Sequence, residues 1–170
     1  MENTNTTKAN YSFVADAMLG KIARKLRMFG FDTIYDPNMD DMDILDSSKN
    51  KGRVVLTSDR MLFKRCKKKG IDTILTYKET EIENLVTIFS SLNIKSINSQ
   101  KVPFLCTSCN GLIETISDKN LIKYDIPVRL LHSTKIFYKC TNCRKIYWRG
   151  SHMEQISFLI NEINMKLTSH

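Results

Sequence analysis

The stretch YSFVADAMLGKIARKLRMFGFDTIYD, residues 11–36, carries one complete unit of a fold class. YSFVAD reads as a short buried strand that ends in an acid, Asp16. Met18, Leu19, Ile22, Leu26 and Phe29 then recur at helical spacing, and Gly30 fits the stop at a helix exit. FDTIYD, residues 31–36, is a second strand. Beyond it the alternation continues. A short helix spans 41–51, with Ile44 and Leu45 inward and Gly52 ending it. RVVLT (53–57) is a fully apolar third strand, residues 59–69 form a basic helix stopped by Gly70, and IDTILT (71–76) is a fourth strand. Residues 79–92 form a helix with acids in its first turn, as the macrodipole favours. GFDTI (30–34) and GIDTI (70–74) use one helix exit and strand entry twice. Strand and helix alternating with short loops predict an α/β domain over 11–92, a parallel sheet flanked by helices.

Outside that block the chain changes character. Residues 93–104, NIKSINSQKVPF, are polar and read as a linker. Residues 105–152 hold two cysteine pairs among short strand-like runs. The last stretch, to about 167, sets Ile156, Leu159, Ile160, Ile163 and Leu167 on one helical face, the pattern of a packing stripe. MENTNTTKAN at the N-terminus is polar, lacks an apolar signal region and reads as a frayed leader. With 170 residues, the chain suits one compact domain plus a small module. Its 42% apolar and 26% charged residues exclude a fully disordered chain. No apolar run approaches the roughly 20 residues that a membrane span needs.

The net charge of +8 admits nucleic acid, an anionic surface, or merely a soluble exterior. Residues 1–100 carry 16 basic and 13 acidic side chains, and residues 101–170 carry 10 and 5. The first part is therefore densely charged with both signs, and the position of its acids decides its chemistry.

Cys106/Cys109 and Cys140/Cys143 form the pattern C-x2-C-x30-C-x2-C. Each pair aims two thiolates at one ion, and two pairs supply a tetrahedral sulfur set that selects zinc or iron over magnesium. No redox partner motif accompanies them, so a structural Zn2+ is expected, in a segment too small to bury its own core. Cys66 stands alone among basic neighbours, and no pattern marks it as a nucleophile. Without a secretory signal a disulfide framework is not expected, and the expected location is cytoplasmic.

The acids of the α/β part fall at strand ends. Asp16 ends the first strand, Asp59 lies just past the third in L-T-S-D, and Asp40, Asp41 and Asp43 open the second helix. In a parallel sheet all three places lie at the carboxyl edge, where ligands bind. Clustered carboxylates cannot all ionise without a cation, and hard oxygen donors select Mg2+ or Mn2+. Such a site can activate water against a phosphodiester. Each Asp taken singly also fits a helix cap. KIARKLR (21–27) and KRCKKK (64–69) flank the rim and suit a polyanionic substrate, or a solvated helix face. His152 reads as a packing or cap residue. No P-loop or G-x-G-x-x-G motif occurs.

The blocks FVADAMLGKIARKLRMFGFDT, GRVVLTSDR, CTSCNG, CTNC and YWRGSH resemble, in this order, the Mut-seven C-terminal RNase domain family. The resemblance runs from about Phe13 to His152 and implies a PIN-like nuclease domain joined to a C-terminal zinc ribbon. It implies Asp16 as the first acid, Asp41 as the second with Asp40 and Asp43 as neighbours, and Thr57 and Asp59 as the T-x-D element. PIN nucleases often carry a fourth acid soon after that element, where this chain has Arg60, Met61 and Leu62. Arg144 and Lys145 stand where a Gly is common, so one knuckle is expected to be strained or shaped differently. The expected protein is an endoribonuclease of PIN type, with Asp16, Asp41 and Asp59 holding Mg2+ or Mn2+ and Thr57 orienting a carboxylate or a water. Lys21, Arg24 and Arg27 are expected to hold the RNA backbone. The alternatives are a catalytically silent RNA- or ribosome-binding module, and a protein-binding adaptor built on the ribbon.

Overall fold

The structure, a computed structural model, describes residues 11–98, 104–148 and 151–169, the side chains of 151–154 excepted. The N-terminal leader, linker residues 99–103 and the His152 side chain lie outside the described residues.

The first half forms the expected α/β layers. Strands β1 (Phe13–Ala15), β2 (Thr33–Ile34), β3 (Val54–Thr57) and β4 (Thr73–Leu75) make one parallel sheet in the order β2-β1-β3-β4. Between them run α1 (Gly20–Met28), α2 (Asp41–Lys51), α3 (Arg60–Lys68) and α4 (Glu81–Ser91). Alternation along the strands assigns the faces. Phe13, Ala15 and Leu56 pack with Leu26 of α1 and with Leu85 and Phe89 of α4. Val14 and Val55 pack with Ile44 and Leu45 of α2 and with Leu62 and Cys66 of α3. Cys66 is thus a core thiol. α1 and α3 both leave through a left-handed glycine, Gly30 at φ 84° and Gly70 at φ 66°, as the repeated G-x-D-T-I segment predicts.

β1 pairs with β2 on one side and with β3 on the other, so the direction of strand addition reverses between β1 and β3. Open α/β sheets bind ligands outside the carboxyl ends of strands at such a reversal. The residues that follow β1 and β3 there are Asp16 and, after Ser58, Asp59.

The C-terminal helix α6 (Ser151–Thr168) packs back on the α/β body. Ile160 and Ile163 are buried in the same core as Leu85 and Phe89, with Ile156, Leu159 and Leu167 against it. Asn164 closes the contact by accepting from the Ile97 N–H at 2.8 Å and donating to the Ile97 carbonyl at 2.9 Å. The stripe expected to pack does so, and the core it joins reaches well past residue 92.

Between α4 and α6 lies a small antiparallel sheet, β5 (Ile113–Ile116), β6 (Phe137–Cys140) and β7 (Ile146–Trp148), with a short helix α5 (Val128–Ser133) over it. Its own hydrophobic centre is Ile122, Ile126 and Phe137. Three buried side chains contribute roughly 1.5–3 kcal/mol each, far below the ordering entropy of a 45-residue segment. This region needs another source of stability. Among the described residues no helix is long and apolar enough to cross a membrane.

Candidate functional site

Asp16 continues the ladder of β1, its N–H donating to the Leu56 carbonyl at 2.9 Å. It precedes a 3-10 turn (Ala17–Leu19), yet its side chain caps nothing. Instead its Oδ2 accepts a 2.7 Å hydrogen bond from Thr57 Oγ1. Thr57 ends β3 and is fully buried. The same hydroxyl accepts from the Asp59 N–H at 2.9 Å, so one buried group holds the Asp16 carboxylate and sets the turn into Asp59.

Of the other acids at this rim, Asp40, Asp41 and Asp59 have structural partners, whereas Asp43 is exposed and its carboxylate has no hydrogen bond or ion pair among the described residues. Asp59 Oδ1 accepts from the N–H groups of Met61 at 2.6 Å and Leu62 at 3.3 Å, and so caps α3. Asp40 Oδ1 caps α2 through Met42 and Asp43 at 2.8 and 2.9 Å. Asp41 Oδ2 accepts from Arg65 at 2.8 Å. The cap reading therefore holds for Asp40 and Asp59 and does not hold for Asp16. Among the described residues no three carboxylates bring their oxygens within 4.8 Å of one another. Asp16 Oδ1 and Asp59 Oδ2 have no hydrogen bond among the described residues. Mg2+ commonly takes one or two carboxylates and keeps several waters, so the donor chemistry of these two oxygens suits such an ion.

Three methionines at the same rim are not explained by packing. Met18, Met42 and Met61 are 81%, 59% and 67% exposed. Each stands two residues past an acid, in Asp16-Ala-Met18, Asp40-Asp-Met42 and Asp59-Arg-Met61. Met18, counted with the apolar stripe of the first helix, is thus exposed instead; the D-x-M spacing at three strand-to-helix junctions is the signal that sets all three apart.

The basic side chains of α1 divide. Lys21 lies 3.5 Å from Glu81 at the start of α4, and Lys25 also pairs with Glu81. Arg24 is exposed and has no hydrogen bond or ion pair among the described residues. Arg27, expected to hold the RNA backbone, turns inward instead. It is 3% exposed, because the helical period places it one turn past buried Ala23. Its Nε donates to the Thr33 carbonyl at 2.9 Å, and its Nη1 donates to the carbonyls of Thr107 at 2.9 Å and Ser108 at 3.2 Å. Burial pushes its pKa down, while the nearby cysteine sulfurs, Asp32 and Tyr147 act in the other direction. A guanidinium nevertheless stays charged at neutral pH.

Those carbonyls belong to the first cysteine knuckle. Asn110, just past Cys109, donates from Nδ2 to Asp32 Oδ1 at 2.6 Å and accepts from the Thr33 N–H at 3.0 Å. Asp32 Oδ2 in turn accepts from Arg53 at 2.6 Å. Burial works against the Asp32 carboxylate, but the hydrogen bonds from Arg53 and Asn110 outweigh it and lower its pKa. The knuckle is thereby bonded to the amino end of the parallel sheet.

The four cysteine sulfurs all lie within 4.8 Å of one another, with Cys106–Cys143 and Cys109–Cys140 at 3.5 Å. A tetrahedron with zinc–sulfur bonds of about 2.3 Å has edges of about 3.8 Å, so the set can hold an ion such as zinc. Both knuckles close alike. Cys106 N–H donates to the Gly111 carbonyl and Asn110 N–H to that of Cys106, at 2.9 and 2.8 Å. Cys140 and Lys145, and Arg144 and Cys140, repeat this at 2.9 and 3.1 Å. Asn110 and Arg144 occupy the matching left-handed positions, at φ 65° and 63°. Asn tolerates that conformation, whereas for Arg it costs roughly 1 kcal/mol. The second knuckle thus has the same shape as the first and carries backbone strain instead. A Cβ at Gly111 would lie 3.0 Å from Cys140 Sγ, which leaves room only for glycine beside the sulfurs.

Tyr147 supports the cluster. Its hydroxyl lies 3.0 Å from Cys106 Sγ and accepts from the Thr107 N–H at 3.2 Å. Burial opposes ionisation of Cys106, but hydrogen bonds from Tyr147, two backbone N–H groups and Cys143 bring its pKa down to about 6. A thiolate already favoured at neutral pH is the form that binds metal.

The Mut7-C RNAse domain family matches residues 11–160. No curated protein and no solved structure matches the chain.

Proposed function

This chain belongs to the Mut7-C RNAse domain family, and from that premise we propose that it is a PIN-type endoribonuclease working at the carboxyl end of its parallel sheet. The observation that carries the reading is Asp16. It is an acid at the strand-order reversal, spared from capping and held by a buried hydroxyl. Mg2+ or Mn2+ would be held by Asp16 and Asp59, and by Asp41 only if that carboxylate releases Arg65. When bound, such an ion neutralises charge at the scissile phosphate and lowers the pKa of the attacking water. Thr57 keeps the Asp16 carboxylate in one orientation. Lys21 and Arg24, on the helix that starts beside Asp16, bind phosphates of the RNA backbone. Met18, Met42 and Met61 offer polarizable apolar contacts to unstacked bases, which favours single-stranded substrate.

The test is incubation of the purified protein with end-labelled single-stranded and structured RNAs, with Mn2+ and with no added divalent ion. Cleavage that requires Mn2+ and falls by orders of magnitude in Asp16→Asn is expected. Metal-dependent cleavage by the Asp16→Asn, Asp59→Asn double variant at the parent's rate would sink the assignment. The engagement of Asp59 as a cap and of Asp41 with Arg65 favours a second reading, a catalytically silent RNA-binding module. That reading predicts RNA binding with no cleavage under any ion.

A further inference from the structure

The small sheet carries a cleft of about 530 Å³ on the face away from the cysteine sulfurs' tyrosine support. One wall is the β6–β7 pair, where Lys139 sits opposite Ile146 and Trp148 lies two residues on along the same face. The other wall is the Asp125–Pro127 turn. Arg144 closes one end. Trp148 is exposed there, beyond the cluster of Ile122, Ile126 and Phe137 that the sheet buries.

Two observations say that this cleft is more than an uneven surface. The first is the comparison of the knuckles. In the first, the left-handed residue Asn110 bonds Asp32 and Thr33. In the second, the left-handed residue is an arginine, which gains nothing from that backbone, and its guanidinium makes no hydrogen bond or ion pair among the described residues. A strained residue that a Gly would relieve, kept with its charge free at a cleft mouth, points to use of the charge. The second is charge. Residues 104–148 carry seven Lys and Arg against three acids. Lys145 is engaged, donating to Ser108 Oγ at 2.9 Å. Lys139 and Arg144, which line the cleft, are not engaged among the described residues.

We propose that this cleft binds one nucleotide of single-stranded RNA, its base against Trp148 and its phosphate against Lys139 and Arg144. A flat indole beside two unpaired cations is the pairing that stacking and phosphate neutralisation require. The Asp125 carboxylate on the facing wall accepts only, and suits a ribose hydroxyl or a base amino group. The proposal rests on the reading of RNA as the substrate class. It places a second contact for the strand on the small sheet, separate from the residues around Asp16.

Trp148 is the single tryptophan of the chain, so its emission reports on this cleft. The zinc-loaded full chain is titrated with a twelve-residue oligouridylate without added divalent ions, reading Trp148 emission and, in parallel, gel mobility. Saturable quenching that weakens with salt is expected. Arg144→Gly is expected to bind at least about five-fold more weakly while melting at the same or a higher temperature, because Gly accepts the left-handed backbone. Lys139→Gln, which leaves the knuckle untouched, is expected to weaken binding and to lower the salt slope by about 0.7. Binding by gel mobility with unchanged Trp148 emission, and with both variants equal to the parent, overturns the proposal. Equal quenching by an acidic peptide of the same charge overturns it as well. Cleavage by the parent in Mn2+ together with unaltered binding by both variants overturns the cleft alone. Loss of quenching in both variants, with no cleavage under any ion, upholds the cleft and removes the nuclease reading.

Discussion

The two ends of the parallel sheet use the same residue types to opposite ends. At the amino end, Asp32, Thr33, Arg27 and Arg53 are joined with Asn110 and the carbonyls of the first knuckle in one bonded set. Charge meets charge there, and the result is attachment. At the carboxyl end, Asp16 receives a neutral hydroxyl from Thr57 and no cation among the described residues. A carboxylate that is positioned by a hydroxyl and paired with no cation is what the proposed reading of Asp16 rests on. The difference separates acids that hold a fold from an acid open to chemistry better than position in the sequence does, since both ends read as charged turns between strands and helices.

The amino end can be broken most severely through its metal. Cys106→Ser should lose the ion, and the binding free energy that folds small cysteine modules, on the order of 10 kcal/mol, goes with it. Residues 104–148 should then become sensitive to protease, and zinc by elemental analysis should fall from one per chain toward zero. Arg27 would lose two of its three carbonyl partners, so the melting temperature of the α/β body should drop too. An unaltered body would mean that the two regions are only tethered.

A second variant pair sharpens the same contrast. Arg27→Met leaves the buried Thr33 carbonyl and the part-buried carbonyl contacts of Thr107 and Ser108 without this donor and should destabilise by about 3 kcal/mol. It should leave the salt dependence of RNA binding as in the parent. Arg24→Ala, one helical turn away but exposed, should do the reverse: a melting temperature within about 1 °C of the parent and a salt slope lower by about 0.7. A flattened slope without loss of stability would place Arg27 on the RNA and not on the knuckle carbonyls.

Much of this architecture was legible beforehand, for reasons that the same residues explain. β1, β3 and the repeated G-x-D-T-I exits are local signals, set by burial pattern and left-handed glycine, and they fixed the parallel layers. The cysteine spacing fixed the sulfur cluster. The inward turn of Arg27 is not legible, because helical charge is visible in sequence while the partner that buries it, 80 residues on, is not. The packing of α6 on α4 crosses an intervening module, a contact no local pattern carries. Asp16, Asp40 and Asp59 all looked like caps or ligands. Only the bond from Thr57 and the absence of a cap separate Asp16 from the other two.

At the carboxyl end a smaller change probes positioning. Thr57→Val keeps shape but removes the hydroxyl, leaving Asp16 Oδ2 without its donor and the Asp59 N–H without its acceptor. Stability should fall by about 1–2 kcal/mol, since both groups are only part-buried and water partly replaces the lost hydrogen bonds. Cleavage should fall roughly ten- to a hundred-fold with RNA affinity unchanged, since the phosphate contacts lie elsewhere, and Thr57→Ser should restore it. Equal rates for Val and Thr would mean that Asp16 needs no orienting partner.

The smallest effect tests the amino end by pH. Asp32→Asn keeps the side-chain size but removes the charge that Arg53 and Asn110 meet. Because Asp32 is about half exposed while Arg53 is nearly buried, screening limits the loss to about 1 kcal/mol. The sign follows from the direction of the shift. The folded pKa of Asp32 lies below its unfolded value, because hydrogen bonds from Arg53 and Asn110 overcome the burial that would raise it. Its stabilisation is therefore complete above the unfolded value, about 3.9, and is lost only as pH falls through the lower folded value. Between pH 8 and pH 5 the parent should keep a constant margin over Asp32→Asn in chemical denaturation, both proteins loaded with zinc. A margin that shrinks inside that window would show a carboxylate still exchanging protons there, and hence one not held by Arg53 and Asn110. The amino end would then resemble the carboxyl end, and the bonded set could no longer be what fastens the knuckle to the sheet.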